Sequence, residues 1–362
     1  MPRVYESIKK ELKLPKIIHL VGTNGKGTTG RFLASALHSK GFSVGHYTSP
    51  HILLFNERIW LNGSNVSDDI LNAAHLKLLS LLSKSDADAL SYFEYTTLLA
   101  LYIYQECDYV VLEAGLGGEF DATAVFDNIL TLVTPIDFDH EAFLGNTIKD
   151  IARTKLNAVK TRAILGKQKY KEVTVIAEEI AQNRCLKIEN YTNYLFEEDL
   201  KKIDFIAKEN SLVAYLQDNL SLSIAALNCL GISYSVKDFN NAKLFGRLSK
   251  IGANILLDVG HNTLAASSIA KSLKNQKYTL IYNSYNDKDY KQILAILKPI
   301  ILNIEIIEVN EDRIEDTKLL KNAIEELGLE YSDFSSINRE KNYLVFGSFS
   351  VAETFLKKLN NG

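Results

Sequence analysis

The chain has 362 residues, 46% of them hydrophobic and 23% charged, with a formal net charge of −3. At ~150 residues per domain that suggests about two domains with buried cores, and the slight acidic balance argues against a nucleic-acid partner. No stretch approaches the ~18 uninterrupted apolar residues of a membrane span, and the first 16 residues lack a signal-peptide core, so a soluble protein without a membrane partner is expected.

In chain order, residues 16–21 read as a first strand, followed by a glycine-rich turn and a helix over 28–39 that stops at Gly41. A second strand is predicted at 43–47, a helix at 94–105, and a strand at 109–112 ending on Glu113. A further strand at 128–136 leads into Asp137-Phe138-Asp139-His140, with a helix over 147–160. From about residue 244 a second series begins. Its strands are predicted at 255–258, 278–282, 304–309 and 343–346, and its helices near 264–273, 289–297, 316–327 and 350–360. The alternation predicts an α/β fold: a P-loop domain with a mostly parallel sheet over 1–243, and a smaller Rossmann-like α/β C-terminal domain over 244–362. Cys107, Cys185 and Cys229 are isolated, so neither a zinc site nor a disulfide framework is expected, which fits a reducing cytoplasm. Lys167, Lys169 and Lys171 read as a solvated helix face.

Gly22-Thr23-Asn24-Gly25-Lys26-Gly27-Thr28-Thr29 lies between a strand and a helix. Glycines there let backbone N–H groups converge on phosphate oxygens, and the helix N-terminus adds a favourable partial charge. Lys26 is placed to reach the β- and γ-phosphates. The spacing differs from GxxxxGK[ST], since Leu20 holds the first glycine's place and Gly27 follows the lysine. At the end of the second strand Ser49 can offer a hydroxyl to Mg²⁺; a Ser-Pro turn is the simpler reading of that segment alone. Glu113, ending an apolar strand before three glycines, reads as a magnesium-holding acid or as a capping residue. His140 ends the next strand, either as a ligand or as a structural histidine.

Taken in order, GTNGKGTT, SPHI…ERI, FEYTT, LEAGLGG, DFDH…LG, Gly246-Arg247, LDVGHN, DKD at 287–289 and GSFSVAE span residues 22 to 353. In that set the sequence resembles the folylpolyglutamate/dihydrofolate synthases, within the wider Mur-ligase group of ATP-dependent amide ligases. The resemblance implies a Mur-ligase-like ATP-binding domain followed by a Mur-ligase-like C-terminal domain. It implies ligation of L-glutamate to dihydropteroate or a reduced folate through an acyl phosphate, by a cytoplasmic monomer whose partners are small molecules.

It also implies roles. The loop of Gly22, Thr23, Asn24, Gly25, Lys26, Gly27 and Thr28 would hold ATP, with Asn219 as a nucleotide contact and Arg247 and Asp258 reaching ATP from the smaller domain. Ser49 and Glu113 would hold one Mg²⁺, and His140 would serve a second together with a carbamylated lysine, here Lys155. Lys26, Lys155, Arg247 and His261 would be catalytic, and Phe93, Glu94, Phe120, Asp121 and Ala122 would meet the pterin-bearing acid. The chain departs from the usual pattern at Glu119, where arginine is typical, and at Leu156-Asn157, where Ala-Gly is typical. A cell-wall Mur-type ligase and a P-loop kinase or NTPase are the alternatives.

Overall fold

Lys16–Val21 forms β1 in a computed structural model of the chain, which describes residues 1–240 and 242–360. Five of its six residues are buried, as expected for a strand inside a parallel sheet covered on both faces. The chain divides into two units, Met1–Lys243 and Leu244–Gly362.

In the first unit, β1 is joined by β2 (Val44–Tyr47), β3 (Ile59–Leu61), β4 (Ser64–Asn65), β5 (Tyr109–Glu113), β6 (Leu130–Val133), β7 (Arg162–Leu165) and β8 (Lys187–Asn190). The order is β4-β3-β2-β5-β1-β6-β7-β8, parallel except where β3 pairs with β2 and β4. β5 and β6 flank β1, with Leu20 opposite Glu113 and Val21 opposite Val133. The chain crosses β1 between β5 and β6, and such a crossover is where open α/β sheets bind ligands, beyond the carboxyl ends of the strands.

Side-chain alternation builds the two faces. Val111 joins Phe32, Leu33 and Leu37 of the helix Lys26–Ser39 and Leu220 and Ile224 of the helix Ala214–Cys229. Val110 and Leu112 join Leu98 and Leu101 of the helix Tyr92–Ile103 on the other face. Each such fully buried aliphatic side chain contributes about 1.5–3 kcal/mol relative to exposure.

The second unit holds β9 (Ser249–Ile251), β10 (Ile255–Leu257), β11 (Tyr278–Tyr282), β12 (Ile301–Ile306), β13 (Glu330–Asp333) and β14 (Tyr343–Phe346), ordered β13-β12-β11-β14-β10-β9. Within this sheet only the β9–β10 pair is antiparallel among the described strands. Both units are α/β with mostly parallel sheets. No described helix is long and apolar enough to cross a membrane.

Several boundaries differ from the sequence reading. The helix at 94–105 is Tyr92–Ile103, because Ser91 and Glu94 form a reciprocal capping box. The strand at 128–136 is Leu130–Val133, its ladder ending before Pro135. The strand at 304–309 starts at Ile301. The helix at 147–160 is Ile148–Leu156. Lys169 is exposed, as expected, but it precedes the helix Lys171–Arg184, and its Nζ lies 3.1 Å from Asp137 Oδ2, a buried carboxylate.

Candidate active site

The turn after β1 is shaped by two glycines that nothing larger could replace. Gly22 has φ 144°, and a Cβ there would lie 2.0 Å from Thr134 Oγ1; Gly25 has φ 90°, and a Cβ there would lie 2.5 Å from Asn219 Oδ1. The loop is thus packed between the end of β6 and the helix Ala214–Cys229. Thr23 locks it further, its hydroxyl donating to Asp137 O at 3.0 Å while the Asp137 N–H donates back to Thr23 Oγ1 at 3.0 Å. Ser223 Oγ donates to Thr29 O at 2.9 Å. No side chain caps the N-terminus of the helix Lys26–Ser39, so its first N–H groups face the loop as an anion-binding end.

Two lysines converge on one carbonyl. Lys26 Nζ donates to Gly22 O at 3.2 Å and Thr23 O at 3.3 Å, and lies 3.9 Å from Glu113 Oε1. Lys155 Nζ, from the helix Ile148–Leu156, donates to the same Gly22 O at 3.0 Å. Lys155 is buried; burial first, and then the charge of Lys26, pushes its amine down to about 7, against the opposing pull of Asp139 and Asp121.

Glu113 ends β5 and is buried, with the Ser49 N–H 3.4 Å from its Oε2. Ser49 follows β2, and the next segment is held by Glu57, whose carboxylate accepts from the N–H groups of Ile52, Leu53 and Leu54 at 2.8 to 2.9 Å. His140 has φ 52° at the start of the short helix Glu141–Leu144, its N–H donating to Asp139 Oδ1 at 3.0 Å.

Mg²⁺ prefers oxygen ligands, keeps several waters, and leans on one or two carboxylates plus substrate phosphates. The Glu113 carboxylate beside Ser49 fits that donor set. So does the Thr28 hydroxyl, buried in the first helical turn with no hydrogen-bond partner among the described residues. No group of three His, Cys, Asp or Glu side chains placed to hold a metal ion occurs among the described residues.

Among the residues expected at the acceptor, Phe93 lies against Gly115, where a Cβ would be 2.6 Å from Phe93 Cζ. Glu94 is already engaged: it accepts from the Ser91 N–H at 2.8 Å and from the Met1 ammonium at 2.7 Å. Phe120 is 87% exposed, whereas Asp121 and Ala122 are buried. Glu119 accepts from Asn157 Nδ2 at 2.8 Å, so two of the departures from the usual pattern meet each other.

In the second unit Asp258 follows β10. Its Oδ2 accepts from the Leu248 N–H and its Oδ1 from the Gly260 N–H, both at 2.8 Å. Those bonds hold the turn of Gly246, Arg247 and Leu248, where Leu248 sits at φ 44°. Arg247 stacks on Phe349, its Cζ 5.5 Å from the ring centroid. His261 Nδ1 lies 3.2 Å from Val259 O, and Asn262 caps the helix Thr263–Ser272.

Sequence reasoning passed over Thr134, Asp137 and Phe349. The Asp137 carboxylate takes Lys169 Nζ at 3.1 Å and Tyr170 OH at 2.9 Å, anchoring the segment that leads to His140. Only the general rule that a buried carboxylate needs partners pointed there, and no spacing connects 137 with 169.

No family model matches the chain. It is similar to the dihydrofolate synthase/folylpolyglutamate synthase of Escherichia coli, 31% identical over 309 residues, covering 79% of this chain and 71% of that protein. The Haemophilus influenzae protein of the same description is 29% identical over 337 residues, covering 82% and 76%. Among solved structures, Helicobacter pylori folylpolyglutamate synthetase is 39% identical with a TM-score of 0.80, covering 99% of this chain and 93% of that one. E. coli FolC in complex with DHPP and ADP is 26% identical with a TM-score of 0.82, covering 99% and 92%. With 31% identity over more than two thirds of the E. coli relative and this geometry at the strand ends, the chain belongs to the dihydrofolate synthase/folylpolyglutamate synthase family.

Proposed function

We infer that the protein ligates L-glutamate to the carboxylate of a folate-type acid, dihydropteroate or a reduced folate, at the expense of ATP. The observation that carries this reading is the convergence of the Lys26 loop, Glu113 and Lys155 beyond the ends of β1, β5 and β6.

A carboxylate is a poor electrophile, so it is first phosphorylated, its oxygen attacking the γ-phosphorus while ADP leaves. The loop N–H groups from Gly22 to Thr28 hold the phosphates, and Lys26 exchanges its carbonyl partners for phosphate oxygens, offsetting the charge that develops during transfer. Asn219, packed against Gly25, sets the loop and is assigned to the nucleotide. Arg247 and Asp258, with His261, are assigned to the nucleotide and the transfer step from the second unit. The amine of glutamate then attacks the acyl carbon, phosphate leaves, and an amide remains.

Ser49 and Glu113, with the Thr28 hydroxyl, would hold Mg²⁺, and His140 would serve a second ion. Bound there, the metal supplies positive charge to the phosphate oxygens. Lys155 suits carbamylation: its amine joins CO₂ and releases a proton, a reaction open only to the neutral amine, and burial keeps much of it neutral near pH 7. Phe93, Phe120, Asp121 and Ala122 are assigned to the acceptor side. The protein on this reading is a cytoplasmic monomer, and gel filtration at working concentration tests the monomer.

Mass spectrometry of the product tests the function. With dihydropteroate or tetrahydrofolate, glutamate and MgATP, a product heavier by one glutamyl residue is expected. ATP consumption with no such product would overturn it and favour the NTPase alternative.

A further inference from the structure

The glycine-rich loop after β5 is closed by one carboxylate. Asp121 Oδ1 accepts from the Thr123 N–H at 2.9 Å and the Thr123 hydroxyl at 2.6 Å, and its Oδ2 accepts from the Leu116 N–H at 2.9 Å. The same hydroxyl lies 2.8 Å from His19 Nε2, in the middle of β1. A hydroxyl has a single proton, and here it is given to the carboxylate, so the contact with His19 requires the imidazole proton on Nε2. The ring is then a neutral imidazole whose Nδ1 is bare, and Nδ1 is buried with no hydrogen-bond partner among the described residues. Burial, with the charge of Lys160 adding to it, pushes His19 down to about 4, so the ring stays neutral at working pH.

This chain of bonds reaches from β1, three residues before Gly22, to a loop seated on two other elements. Gly115 lies under the Phe93 ring, and a Cβ at Gly118 would fall 2.8 Å from Lys155 O. The exposed tip of the loop is Phe120.

We propose that His19, Thr123 and Asp121 act as one positioning unit that fixes the loop from Gly115 to Ala122 against Phe93 and Lys155, so that Phe120 meets the pterin-bearing acid. The proposal rests on the acceptor assignment above. In it the Asp121 carboxylate anchors the loop that carries the acceptor residues, and His19 and Thr123 are positioning residues without substrate contact.

Steady-state kinetics with dihydropteroate on Thr123→Val, His19→Leu and the double variant tests it, alongside thermal unfolding of each. Each single change is expected to raise KM for dihydropteroate about tenfold, with KM for ATP within about twofold. The double variant should match either single one, because members of one unit are non-additive. Thr123→Ser, which keeps the hydroxyl, should restore the wild-type KM. Thr123→Ala gives the same readout should Thr123→Val or His19→Leu fail to fold. An unchanged KM for dihydropteroate despite a lowered Tm, KM values for ATP and acid rising together, or additive effects would overturn the proposal. A wild-type enzyme that ligates glutamate to no pteroate or folate acid would remove the functional reading itself, and that is visible before any variant is made.

Discussion

Each unit places a carboxylate at the end of an interior strand, and the two make different contacts. Asp258, after β10, has both oxygens 2.8 Å from backbone N–H groups and works as a brace for the Arg247 turn. Glu113, at the end of β5, has its Ser49 contact at 3.4 Å and its Lys26 contact at 3.9 Å. Short backbone bonds to a carboxylate fix a loop; a carboxylate at a strand end beside a lysine suits a cation that arrives with the nucleotide, the role proposed for Glu113. The same residue class after a strand thus braces a turn in one unit and, on the proposed assignment, takes a metal in the other.

The largest expected effect falls on Lys26, whose charge is assigned to the transferring phosphoryl group. Lys26→Ala should lower kcat about a thousandfold with the fold retained by circular dichroism, the upper end of what one transition-state donor supplies. Glu113→Gln keeps the shape but removes the charge, so it should lower kcat about a hundredfold and raise the Mg²⁺ concentration for half-maximal rate. An unchanged Mg²⁺ titration would remove Glu113 from the metal. Asp258→Asn sharpens the contrast. It puts an amide where two backbone N–H groups donate, costing about 1–3 kcal/mol of stability in the second unit, read as a lowered Tm. A large shift in Mg²⁺ requirement in that variant would erase the distinction between the two carboxylates.

Lys155 gives a smaller effect with a defined sign. Its folded pKa of about 7 lies below the ordinary lysine value of 10.5, so the unfolded chain binds one more proton between those limits. The wild type therefore loses stability as pH falls from about 10.5 to 7, by about 1.4 kcal/mol per pH unit, and the penalty is constant below 7. In CO₂-free buffer Lys155→Met should be the more stable protein, by a margin that grows as pH falls through that window. Urea unfolding of the pair at pH 7 and pH 9.5 checks it; a margin independent of pH would contradict a buried neutral amine.

Much of this site was legible in the sequence because its parts are local. β1 and the loop of Gly22 to Thr29 are contiguous, and Glu113 is announced by an apolar strand and the glycines after it. Ser91 followed three residues later by Glu94 spells the capping box, which would have placed the helix start correctly. The short strands β3, β4, β7, β8, β9 and β13 went unread because two to four residues carry too little alternation. What could not be read is tertiary: the His19–Thr123 contact spans 104 residues, and nothing in either segment names the other. The burial that lowers Lys155 likewise belongs to the packed helix and to no sequence pattern.

The central claim is that phosphoryl transfer at the strand ends of the first unit serves amide formation. ADP release measured with each substrate omitted in turn tests it most directly. The account predicts steady ADP release only when dihydropteroate or a reduced folate, glutamate and MgATP are all present. Release at the full rate without glutamate, or without the acid, would contradict it.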